Sequence, residues 1–183
     1  MNFEVLNIRR IDPATGYFKL HQDYILSYDH YDGWTQRLLR AGIYIDIIYE
    51  CKVEIRFYTK NQDKFEKQFE CEIPSEIKNI ISEIMDLDDL VLKHNYADGV
   101  MEDFGDQHFV INNNGISHNI GVGFTEKKRQ PENSSEKLFF VLIDLFEKWL
   151  EKLYQECLQE SVISSQTISN DKPNVRIKRK HKK

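Results

Sequence analysis

Proline and glycine are scarce, four and eight among 183 residues. That excludes collagen-like repeats and a chain made mostly of low-complexity linker. Cysteine is equally thin. Cys51, Cys71 and Cys157 form no CxxC pair and no zinc-ligand spacing with the histidines, so neither a zinc module nor a disulfide framework is indicated. No apolar run approaches the roughly 18 residues of a membrane span, and the longest, around Leu138–Leu145, is broken by Asp144. The opening residues MNFEVLNIRRID lack the basic-then-apolar order of a secretion signal. These absences predict a soluble cytoplasmic protein with reduced thiols and no membrane contact.

What is present points to a packed domain. Hydrophobic residues make up 40% and aromatics 12%, enough for a core in one domain of this length. The net charge of −5 is the sum of two unlike parts. Residues 172–183 carry seven Lys or Arg and no acid, which leaves 18 basic against 30 acidic residues in the rest. A body that acidic attracts basic partners and repels nucleic acid, whereas the tail does the reverse.

Periodicity supplies the elements. Phe18, Leu20, Tyr24, Leu26 and Tyr28 alternate with polar residues, which predicts one strand over 17–28. Odd positions from Ile43 to Phe57 are apolar throughout, a run too long for one ordinary strand, so a break is expected near Ile48. Asn61–Asp63 then supply a turn, and Phe65, Phe69, Cys71 and Ile73 return the alternation. In 74–86 the period changes, with Ile77, Ile80, Ile81, Ile84 and Met85 on one helical face. Residues 87–106 read as an irregular acidic loop. Asn114-Gly115 is a two-residue turn signal that pairs Asn113 with Ile116 and puts His118 beside Phe109 and Ile111 on the apolar face. Asn133 with Glu136 resembles a capping box for a helix running to about Glu160, its stripe formed by Leu138, Leu142, Leu145, Phe146, Trp149, Leu150, Leu153 and Cys157. The fold class is therefore α+β: an antiparallel sheet built from hairpins, with two amphipathic helices packed on it. One domain over 1–160 precedes a Ser/Thr-rich linker and disordered basic tail over 161–183.

No catalytic, metal or cofactor motif emerges. His30, flanked by Asp29 and Asp32, lacks a nucleophile or third ligand at a recognisable spacing. His118 reads as a hydrogen-bonded core histidine. The acids around 83–106 lack the order of a calcium loop, and the glycines of 121–124 lack the setting of a phosphate loop. Cys51 and Cys71 fall on strands expected to pair. Two surfaces suit protein binding: an aromatic loop with Tyr31 and Trp34, and an acidic loop with Asp86, Asp88, Asp89, Asp98, Glu102, Asp103 and Asp106. Arg176, Lys178, Arg179 and Lys180 suit phosphate contacts, making nucleic-acid association through the tail the alternative.

CKVEIRFYTKNQ followed by ECEIPSEI, the Asp98-Gly99 pair, and VINNNGISHNIGVGF before a long helix together resemble small bacterial α+β proteins. Some of these serve as immunity partners in toxin–immunity systems. The resemblance spans about 50–160, carries over no functional residue, and implies a non-enzymatic acidic domain that neutralises a basic toxin.

Overall fold

The structure is a computed structural model, and it describes residues 8–98, 104–123, 125 and 129–170. Strands β1 (Arg9–Ile11) and β2 (Phe18–Leu20) form a small antiparallel pair. Strands β3 (Tyr24–Gly33), β4 (Arg40–Asp46), β5 (Cys51–Tyr58), β6 (Lys64–Cys71), β7 (Asn95–Tyr96), β8 (Phe104–Asn113) and β9 (Ile116–Val122) form a second sheet. Its order is β6-β5-β4-β3-β8-β9-β7, antiparallel except where β7 runs parallel to β9. Helices α1 (Ser75–Met85) and α2 (Ser134–Asn170) complete an α+β fold. Among the described residues no helix is long and apolar enough to cross a membrane.

The strand expected over 17–28 is two strands. A turn at His21, closed by the Tyr24 N–H donating to the His21 carbonyl at 3.0 Å, separates them. β2 pairs with β1, whereas β3 enters the large sheet, and even spacing alone does not reveal that change of partner. The longer alternation divides between Asp46 and Cys51. There the Asp46 carboxylate accepts the N–H groups of Ile48 (3.0 Å) and Glu50 (2.8 Å), and Tyr49 takes φ 64°. The region read as an irregular loop holds β7 and the start of β8.

β5 shows the logic of the core in its simplest form. Cys51, Val53, Ile55 and Phe57 are buried, while the residues between them are partly or fully exposed. Ile77, Ile81 and Ile84 of α1 and Phe139, Leu142, Ile143 and Phe146 of α2 cover that face. At its centre Tyr28 lies 4.7 Å from Phe109 and 4.8 Å from Phe146, ring to ring, and Phe109 meets Phe139 edge-on at 5.2 Å. Each such aromatic, fully buried, contributes about 1.5–3 kcal/mol from removal of apolar surface from water. On α2 the stripe is rotated from the expected one: Phe139, Ile143 and Tyr154 are buried, and Leu138 and Leu145 only half so.

The start of α2 is capped by Asn133, whose Oδ1 accepts the Glu136 N–H at 2.8 Å. Glu136 reaches back one residue further than a capping box requires, accepting the Glu132 N–H at 2.7 Å. The helix does not stop near Glu160 but continues to Asn170. Once a helix is nucleated, each added residue gains a backbone hydrogen bond, so the helix can propagate beyond the last turn of the apolar stripe. The basic tail, with Arg176, Lys178, Arg179 and Lys180, lies outside the described residues.

The opposite face of the sheet is covered in part by the β1–β2 pair. Ile8, Leu20, Tyr44 and Val110 form a second, smaller core there. Asn119 on β9 extends the ladder with its side chain: its amide donates to the Phe18 carbonyl at 2.7 Å and accepts the Phe18 N–H at 2.9 Å. Asn119 is thus buried although it occupies the polar face of its strand.

Candidate protein interface

Register divides the acidic residues into two groups. The Asn114-Gly115 turn joins β8 to β9, with Asn113 opposite Ile116 and Ile111 opposite the half-buried His118. At that end Asn114 donates to the Asp88 carbonyl at 3.2 Å, and Asn113 to the carbonyls of Ile84 (3.2 Å) and Leu87 (3.4 Å). Asp86, Asp88 and Asp89 therefore surround the β8–β9 turn, all exposed. Asp106 lies eight residues back along β8, opposite Tyr31, and at about 3.3 Å per residue that is roughly 26 Å away. Asp98 follows β7, whose Tyr96 pairs with Val122, itself opposite Gln107. It therefore belongs to the Asp106 end. Glu102 and Asp103 lie outside the described residues.

The aromatic loop is likewise only partly a loop. Tyr31 is a strand residue, paired with Arg40 on one side and Asp106 on the other, because β3 is bonded along both edges. These ladders outweigh the turn-forming Asp and Gly around it. The Arg40 guanidinium lies over the Tyr31 ring at 4.5 Å, leaving Tyr31 half-exposed. Gly105 allows the strands to approach here, since a Cβ at 105 would stand 2.3 Å from the Tyr31 carbonyl oxygen.

Trp34 is in the connection between β3 and β4, and 77% of it is exposed. No family model and no curated protein matches the chain.

The connection that bears Trp34 is pinned on both sides. Asp32 accepts hydrogen bonds from the Thr35 hydroxyl and, at 2.7 and 3.2 Å, from Nε and Nη2 of Arg37. Nη1 of Arg37 reaches Glu151 on α2 at 2.7 Å, and the guanidinium lies 4.7 Å from the Tyr154 ring centre. Backbone bonds add to this, Asp32 N–H to the Leu39 carbonyl and Tyr58 N–H to that of Arg37. Burial alone would raise the Asp32 carboxyl, but the hydrogen bonds from Arg37 and Thr35 outweigh it and hold it below the usual range. Neither Arg37 nor Glu151 stands out in the sequence; an Asp-x4-Arg spacing in a loop has no period to read.

His30 is beside this network. Its Nδ1 lies 3.4 Å from the Tyr28 hydroxyl, which donates to Gln107 at 3.2 Å, and Gln107 donates to Glu147 on α2 at 2.6 Å. Nε2 is 3.7 Å from Asp32. Burial lowers the His30 imidazole, and Arg37 adds to that effect against the opposing pull of Asp32. His30 thus lies beside α2 with burial disfavouring its charged form, and Asp32 is committed to Arg37 and Thr35. Among the described residues no group of three or more His, Cys, Asp or Glu side chains could hold a metal ion.

Proposed function

We propose that this chain is a non-enzymatic protein-binding domain, and that it docks a basic partner at the sheet end bearing Trp34, Asp98 and Asp106. The observation that carries this reading is a large indole left in water on a connection that ion pairs and hydrogen bonds hold still. An anchor ordered before binding loses little entropy on association, and Trp is enriched among residues that dominate interface energies. The flanking carboxylates favour a cationic partner and speed its approach. Neutralisation of a basic bacterial toxin is the particular form of this function that the sequence resemblance implies.

The test compares the two ends of the sheet in salt-dependent capture of partners from the native lysate. Trp34→Ala, and Asp98→Lys with Asp106→Lys, should each reduce capture by tenfold or more, about 1.4 kcal/mol. Asp88→Lys with Asp89→Lys, at the other end, should leave capture intact. The reverse order of sensitivity would move the interface to the β8–β9 turn, and indifference to all three would overturn the proposal.

A further inference from the structure

Cys51 and Cys71 stand directly opposite each other in the β5–β6 ladder. Residues so opposed in antiparallel strands have Cα atoms about 4.5–5.5 Å apart, within the roughly 4.4–6.8 Å that a disulfide spans. Both thiols are free. Cys51 belongs to the core, whereas Cys71 packs at its margin, is partly exposed and lies on β6, the edge strand of the sheet. Cys71 is thus the less buried of the two.

The two thiols are also unequal. Hydrogen bonding to Cys71, together with burial, pushes the Cys51 thiol up, while the same contact draws the Cys71 thiol down against the opposing effects of burial and Glu156. The more exposed sulfur is thus the readier thiolate, and the thiolate is the attacking form. Cys157, the third cysteine, is buried on α2, and burial raises its thiol.

We propose that Cys51 and Cys71 are a reversible disulfide-forming pair, oxidised by a small-molecule disulfide such as oxidised glutathione. The Cys71 thiolate attacks one glutathione sulfur, forming a mixed disulfide and releasing one glutathione thiolate. Cys51 loses its proton and attacks the Cys71 sulfur, forming the intramolecular bond and releasing the second glutathione. Two protein thiols are oxidised and one glutathione disulfide is reduced to two thiols. The bond ties the edge strand to β5 in its native register, where a one-residue slip would turn Phe65 and Phe69 away from the core.

The test uses the full reduced chain incubated with increasing ratios of oxidised to reduced glutathione, then quenched, denatured and alkylated. The expected product is lighter by about 2 Da before alkylation, takes up alkyl groups at Cys157 only, and yields a Cys51–Cys71 linked peptide. Cys51→Ala should stop at the mixed stage, with one glutathione retained at Cys71. Cys71→Ala should abolish the mass loss and slow glutathione uptake at least tenfold, and circular dichroism checks that each variant is folded. Three alkylatable thiols in the wild type throughout the titration, a link through Cys157, or faster modification of Cys157 than Cys71 would each overturn the proposal. The wild-type result decides the matter even if a variant fails to fold.

Discussion

Arg37 grips Asp32 with two nitrogens and spends a third on Glu151, so one side chain ties the β3–β4 connection to α2. The pair is partly exposed, which limits its contribution to that of charge-assisted hydrogen bonds rather than that of a buried ion pair. Arg37→Ala should lower stability by about 1–3 kcal/mol. Arg37→Lys should recover only part of that, because an ammonium cannot reproduce the planar fork. Urea unfolding midpoints at unchanged slope provide the measurement. A loss below about 0.5 kcal/mol, the usual range for a surface change, would show that the connection is held by something else.

Stability should fall as the medium is acidified below about pH 6.5, the unperturbed histidine value. Burial lowers His30, His108 and His118 in the folded chain, so the unfolded chain takes up protons first. Their contribution is fully present above about 6.5 and is lost as the pH falls through the folded values. Asp32, held low, follows the carboxylate pattern, with its contribution present above about 3.9 and lost on further acidification. Melting temperature against pH should therefore bend downward near 6.5, and His30→Gln should make the descent shallower. A wild-type curve flat between pH 7 and 5 would contradict this.

Glu136 is 1% exposed yet fully engaged, accepting from the Tyr96 hydroxyl at 2.9 Å and from the Glu132 N–H. Glu136→Ala strands both donors and should cost about 2–6 kcal/mol, from two unsatisfied groups at about 1–3 each. Asn133→Ala, which removes only the cap, should cost about 1 kcal/mol. Equal losses in thermal unfolding would mean that Glu136 acts through the cap alone.

Arg10 and Lys19 lie directly opposite each other in the β1–β2 pair. Like charges so placed repel, and opposite charges stabilise by about 0.2–1 kcal/mol. Lys19→Glu should accordingly raise the melting temperature. An unchanged or lowered value would show that Lys19 contributes more than its charge at this position.

The local elements were legible because their causes are local. Asn114-Gly115 sets the β8–β9 register, since its turn needs positive φ at both residues, and φ is 51° and 78° there. The Ile residues of 77–84 announce α1 by spacing alone. The candidate site was less legible. Trp34 is visible as an aromatic beside turn residues, but Tyr31 is in a strand, and the described acids Asp86, Asp88, Asp89, Asp98 and Asp106 fall at two ends of the sheet.

The α+β class, the periods of the strands and helices, and the charge contrast between body and tail can all be read from the order of residues, because neighbours a few residues apart set them. Three-dimensional packing alone puts β3 between β4 and β8, buries Asn119 beneath β2, and brings Arg37 to Glu151 across 114 residues. The difference lies in the range of the interactions. Side-chain periodicity declares which face is apolar, whereas the partner of a polar group is chosen by which distant segment arrives to satisfy it.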